Sequence, residues 1–308
     1  MRSSVVVGML WMLTVAVAMA AAPAPPKFDG GRAYEYLRQV VAFGPRPAGS
    51  PALESTRQYI KKQLAEAGIQ VIEQPFDADT PIGRVHMVNL VARIPGASPD
   101  RIVFAGHYDT KLFREFRFVG ANDAGSSTAF LIEWGRVLKA RKNPLTTELL
   151  FLDGEEATLP EWDTATKDHT YGSRHYVEAA QKDKSLSSLR AMILVDMIGD
   201  RDLDIRRESA SSSWLTDAIW AAAKRLKYGD VFLDQTEAIE DDHIPFLDAG
   251  VPAVDIIDGP GSYPPWHTAG DTLDKVSARS LQVVGDVLYE ALPTIEKRAA
   301  ARPGRAGF

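Results

Sequence analysis

No cysteine occurs among the 308 residues. That excludes disulfides, thiolate metal ligands, a cysteine nucleophile and a lipobox together. Positive charge is not in excess either: 35 Lys and Arg stand against 41 Asp and Glu, for a formal net charge of -6. A chain of this balance offers no basic field, so no nucleic-acid partner is expected. No Walker loop or GxGxxG follows the first strand, and GxSxG and HExxH are missing; phosphate cradles, a serine nucleophile elbow and a zincin helix are left without motifs. The long apolar run is confined to Val5–Ala20, behind Arg2. It is short and Ala-rich for a membrane span, and Ala18-Met19-Ala20 offers a small-x-small cleavage site. Residues 1–20 therefore read as a signal peptide, 21–30 as a Pro/Ala linker, 31–297 as one domain and 298–308 as a frayed tail. The expected location is periplasmic or secreted, with no stable membrane association after cleavage.

What remains is ordinary globular composition, 45% hydrophobic and 25% charged, with strands alternating with helices. Helical spacing covers Gly31–Phe43, and a helix over Pro51–Ala67 is announced by Ser50 as cap and Pro51 in its first position. Helices are also expected over Gly125–Ala140, Gly172–Gln181 and Ser211–Leu226. A last one starts near Ala278, and Pro293 is expected to kink or end it before Lys297. Strands are expected over Gln70–Gln74, Val85–Ile94, Ile102–Ala105, Glu148–Asp153, Ala191–Asp196 and Ala253–Ile257. The alternation predicts an α/β three-layer sandwich with a mostly parallel, mixed central sheet.

Polar residues cluster where these apolar strands end. His107 and Asp109 follow one strand, Glu155 and Glu156 (in FLDGEEA) another, and Asp196 a third; Asp123 and His267 lie in loops. Open α/β sheets bind ligands at that rim. Two adjacent carboxylates are costly to desolvate without a cation or proton beside them. One carboxylate binding a metal while the other moves protons would explain the pair, and a solvated acidic turn would also produce it. Singly, Asp123 could be a helix cap and either histidine a core residue. Together they favour a metal site of nitrogen and oxygen donors, which suits zinc.

These segments resemble the zinc-type glutaminyl cyclases, relatives of the co-catalytic zinc aminopeptidases. The resemblance is carried by GHYDTK (Gly106–Lys111), GANDAGSS (Gly120–Ser127), FLDGEEA (Phe151–Ala157), YGSRH (Tyr171–His175), LVDMIGD (Leu194–Asp200), EDDHIPF (Glu240–Phe246) and WHTAGD (Trp266–Asp271). FGPRPAGS (Phe43–Ser50) adds weaker support. The resemblance implies a zinc-exopeptidase-like catalytic domain with one Zn2+ at the carboxyl ends of the strands, held by Asp123, Glu156 and His267. It implies Glu155 as proton shuttle, with Asp196 and Asp241 as its partners. Trp162, Trp266, Tyr263 and His107 would be substrate-binding, the two tryptophans as pocket walls. Asp255 departs from the animal cyclases, where a histidine is expected, and His243 is expected to brace the loop of Asp241 and Asp242.

The implied activity is cyclisation of the N-terminal glutamine of peptides or proteins to pyroglutamate, with release of ammonia. The alternative is a co-catalytic di-zinc aminopeptidase, in which His107 or Asp109, with Asp196, would hold a second ion. EDDHIPF and the Trp before His267 weigh toward the cyclase.

Overall fold

The computed structural model describes residues 27–162 and 165–301; the expected signal peptide and residues 21–26 lie outside them. In chain order the elements are α1 (Gly30–Ala42), α2 (Pro51–Glu66), β1 (Val71–Thr80), β2 (Gly83–Ile94), β3 (Ser98–His107), α3 (Gly125–Lys139), β4 (Leu145–Leu152) and α4 (Tyr171–Lys182). There follow β5 (Leu189–Asp196), β6 (Ile205–Glu208), α5 (Ser213–Arg225), β7 (Phe232–Glu237), α6 (His243–Asp248), β8 (Ala253–Ile257) and α7 (Ala278–Ala301). Six strands form one sheet in the order β1-β2-β4-β3-β5-β8, and β6 pairs with β7 apart from it. β3, β4, β5 and β8 run parallel, while β1 and β2 are antiparallel additions at one edge.

The central strands are apolar on both faces because both are covered. In β4, Leu149 and Phe151 join the larger core, which also holds apolar residues of α1, α2, α3, α5 and α7. Leu150 and Leu152 point the other way, into a smaller core with Tyr176 and Val177 of α4 and Phe246 of α6. The period of two along a strand thus builds the three-layer sandwich. Ser50 caps α2 as expected, accepting from the Leu53 amide at 3.1 Å.

Several boundaries differ from the sequence reading, each for a tertiary reason. β1 runs on through Pro75 to Thr80; it is an edge strand, where a missing N–H costs no ladder bond. α7 passes through Pro293 to Ala301. Its buried stripe of Leu288, Ala291, Leu292, Ile295 and Ala299 continues across the proline, so packing outweighs the local cost of about 3 kcal/mol. Residues 298–301, expected in a tail, belong to this helix, and the Arg298 guanidinium lies over the Trp214 ring. Residues 28–30, expected in a linker, belong to the fold: Phe28 is buried and stacks on Phe130 at 4.7 Å, and Asp29 caps α1. The sequence reading missed β6, β7 and α6.

Candidate metal centre and active site

The parallel strands β3, β4 and β5 deliver His107, the Gly154-Glu155-Glu156 turn and Asp196 to one rim. Asp123 enters from the loop before α3. Gly120 shapes that loop: its φ is +50°, and a Cβ there would meet the Asp123 carbonyl oxygen at 1.9 Å. His267 comes from the long connection between β8 and α7, with φ at +53°.

Asp123 is the meeting point. Its Oδ2 is 3.3 Å from His267 Nε2, and the same nitrogen is 3.3 Å from Glu156 Oε1. These three residues offer ligand atoms all within 4.8 Å of one another, as do His107, Asp123 and Asp196. In the second group His107 Nε2 is 3.2 Å from both Asp123 Oδ1 and Asp196 Oδ1. Burial would lower the His267 pKa, but the Glu156 and Asp123 carboxylates outweigh it and lift it to about 9. Burial would raise the Asp123 pKa, yet hydrogen bonds from His107 and His267 hold it below the usual carboxylate range.

Glu155 lies in the same pit, 7% exposed, with Oε2 3.7 Å from His107 Nδ1. Burial raises its pKa well above the ordinary value; Asp241, Glu156 and Asp242 add to the rise, and His107 opposes it. Asp241 is buried, its Oδ1 accepts from the Asp242 amide at 2.5 Å, and its Oδ2 has no hydrogen-bond partner among the described residues. Asp196 Oδ1 also accepts from the Met197 amide at 2.8 Å.

A cavity of about 400 Å³ opens over these groups, lined by Asp123, Glu155, Glu156, Asp196, Asp241 and His267. Trp162, Trp266, Met197, Ile239 and Ile257 supply its apolar walls. Both tryptophans singled out from the sequence line this cavity. Two other expectations fail. Tyr263 is 1% exposed and is not part of that lining; its hydroxyl donates to Asp271 Oδ1 at 2.7 Å. His107 lies beneath the cavity among carboxylates, also outside the lining. Asp109 joins neither ligand cluster, so of His107 or Asp109 only His107 faces a second position. The Asp109 carboxylate instead accepts from the Glu155 and Glu156 amides at 3.3 and 3.4 Å, fixing the turn that carries both.

The supporting residues were mostly missed. Asp271 accepts from the Asn122 and Asp123 amides at 2.8 and 3.1 Å, anchoring the ligand loop from behind. Arg46, fully buried, donates to the Tyr108, Val119 and Gly120 carbonyls and joins the loops of His107 and Asp123. Phe113 and Phe118 present their planes edge-on to His267 at 5.7 and 5.9 Å, and Trp266 stacks on it at 3.9 Å. WHTAGD contains Asp271, so a signal existed; Phe113 and Phe118 carry no pattern that tells them from core aromatics.

His243 braces its loop through Glu208, with Nε2 3.0 Å from Glu208 Oε2. Ser173, from YGSRH, donates to Asp242 at 2.5 Å. Asp255 is fully buried 3.8 Å from His243 Nδ1, and neither of its oxygens has a hydrogen-bond partner among the described residues. Burial, with Asp241 and Asp196 adding, raises its pKa well above the ordinary value, which favours a neutral acid at that position.

The sandwich is of the zinc exopeptidase-like fold class, and residues 89–292 match peptidase family M28. The chain belongs to that family, on the branch of the glutaminyl-peptide cyclotransferase relatives. It is 31% identical over 268 residues to the glutaminyl-peptide cyclotransferase-like protein of Mus musculus, covering 77% of this chain and 68% of that one. It is 29% identical over 265 residues to the glutaminyl-peptide cyclotransferase of Drosophila melanogaster, covering 77% and 73%. The solved glutaminyl cyclase of an Acidobacteriales bacterium superposes with a TM-score of 0.83 at 40% identity, covering 92% of this chain and all of that one.

Proposed function

We propose that this chain is a zinc-dependent glutaminyl-peptide cyclotransferase that converts the N-terminal glutamine of peptides to pyroglutamate with loss of ammonia. The observation that carries this reading is Glu155, an unligated buried acid set beside the Asp123–Glu156–His267 group under two tryptophans. The relatives reported above bear cyclase names. The donor set fits zinc: two carboxylates and an imidazole with no sulfur, and a buried Glu156 Oε2 that has no hydrogen-bond partner among the described residues and only Lys111 Nζ at 3.9 Å. Bound there by Asp123, Glu156 and His267, the ion would supply Lewis acidity toward the side-chain amide oxygen of the substrate.

The chain's own residues do the rest. Glu155 takes a proton from the substrate α-amine as that nitrogen attacks the side-chain carbonyl carbon. A new C–N bond closes the ring, Glu155 returns the proton to the amide nitrogen, and ammonia leaves. A carboxylate lifted toward neutrality by burial suits both halves of this shuttle. Asp196 and Asp241 accept hydrogen bonds from the reacting end and hold it. Trp162 and Trp266 exclude bulk water. Because both reacting groups belong to one residue, the site mainly folds that side chain into an attacking pose.

One observation favours a second reading. The His107–Asp123–Asp196 group has the donors for a second ion, as a di-zinc aminopeptidase needs. Incubation with a Gln-initiated peptide separates the two: the cyclase product has lost ammonia at unchanged chain length, whereas a peptidase releases a free amino acid. Zinc content of one ion per chain against two gives the same division. Export also belongs to this reading, supported by the Arg2 and Val5–Ala20 pattern. Among the described residues no helix is long and apolar enough to cross a membrane.

A further inference from the structure

We propose that His169 is a positioning residue for the substrate pocket, holding the Trp162 wall against the segment that carries Glu240 and Asp241. Trp162 and Glu240 both line the cavity but come from unrelated parts of the chain. Trp162 lies in the connection between β4 and α4, and Glu240 in that between β7 and α6. His169 touches both. Its ring stacks on the Trp162 indole with centroids 4.2 Å apart and planes 21° from parallel, and its Nε2 lies 3.8 Å from Glu240 Oε1. The ring is 4% exposed, and Nδ1 is 3.1 Å from the Thr170 hydroxyl oxygen, so its orientation is set.

Its neighbours explain why it can act as a strut. The Asp168 carboxylate accepts from the Thr158 hydroxyl at 2.8 Å and the Leu159 amide at 2.9 Å, closing the loop on itself. The Thr170 amide donates to the Glu155 carbonyl at 2.8 Å, and Arg174 donates to the His169 carbonyl at 2.7 Å. Three consecutive residues thus join the start of the loop, the pocket wall and the main chain of the proposed base. Trp162 is in neither helix nor strand. An aromatic wall on such a segment binds well only when its rotamer is already set, because ordering it on binding costs affinity. Removing the imidazole frees the indole and leaves the Thr170–Glu155 main-chain bond intact. Substrate binding suffers and the chemical step does not.

The inference takes its substrate from the cyclase reading, while its geometry stands apart from it. The test uses the full chain with zinc, as His169→Ala and His169→Phe, on a Gln-initiated peptide. His169→Ala is expected to raise KM about five-fold, the range of one lost aromatic pair, with kcat within about two-fold. His169→Phe keeps the stack and restores most of KM. In a Trp162→Ala background, His169→Ala adds nothing further to KM. Trp162 emission, taken as the difference between each chain and its Trp162→Phe counterpart, shifts to longer wavelength when His169 becomes Ala. An unchanged KM, a fall in kcat alone, or equal effects in both backgrounds overturns the proposal. So does an unshifted emission. Absence of cyclisation by the unaltered chain would sink the functional reading instead, and the emission measurement would still decide the role of His169.

Discussion

His267 Nε2 lies 3.3 Å from Asp123 Oδ2, although the two residues are 144 positions apart in sequence (267 minus 123) and neither belongs to a helix or strand. The pair exists because β3, β4 and β5 end at one rim and because Asp271 pins the Asp123 loop while three aromatic rings pin His267. The consequences can be measured.

Glu155→Gln should keep zinc and lose turnover. The amide has nearly the shape of the acid but cannot shuttle a proton. A fall in kcat of about 10²–10⁴ is expected, the usual contribution of a positioned acid–base group. Metal analysis and steady-state rates on the same preparation check it; normal turnover would remove Glu155 from its assigned role.

Asp271→Asn should weaken zinc binding without touching a ligand. The Asp271 carboxylate accepts two main-chain amides and the Tyr263 hydroxyl, and an amide NH2 cannot accept at all those positions. Losses of about 10–100-fold in affinity are typical for such supporting groups. Competition with a chelator measures this, and wild-type affinity would show that the loop holds its shape unaided.

The metal-free protein should become less stable as pH rises from about 6.5 to about 9. His267 has its folded pKa raised to about 9, so its stabilisation is complete below the unfolded value and is lost as pH passes the folded one. The effect is bounded at about 3 kcal/mol. With zinc bound, imidazole is the ligand form and that decline should vanish, because metal displaces the proton. Melting curves with and without chelator across this range provide the comparison. A flat metal-free profile would contradict the charge pattern around Asp123.

Phe28→Ala should destabilise the fold by about 3–5 kcal/mol, as expected for a buried aromatic truncated in a core. Phe28 stacks on Phe130, and a Cβ on Gly285 would meet its ring at 2.3 Å. Chemical denaturation tests this, and a change under about 1 kcal/mol would place Phe28 outside the core.

Much of the site was readable from local pattern. The apolar runs around Phe104, Leu150 and Leu194 mark buried strands, and the polar residues that follow them fall at strand ends by chain order alone. Trp266 was singled out by its place beside His267, while Trp162 lies one position further from GEE than the family pattern implies; both line the cavity. Tyr263 was misread because an aromatic in a Gly/Pro-rich loop gives no sign of which way it turns; Asp271 captures its hydroxyl. β6 and β7 were missed since DIRRES and VFLDQTE carry as much charge as a loop, and only their pairing makes them strands. His169 carries no signal in the sequence, and only the structure sets its ring against Trp162.

Sequence alone determined the alternating layers, the sulfur-free donor chemistry and the adjacent Glu155 and Glu156, because these follow from side-chain type and short-range period. Tertiary structure decided which carboxylates point at a shared position and which, like Asp109 and Asp271, spend their lone pairs on main-chain amides. It also decided that α7 continues through Pro293. Each of these depends on what lies across space from a residue, and backbone amides and packing partners drawn from distant segments leave no mark on the residues beside them in the chain.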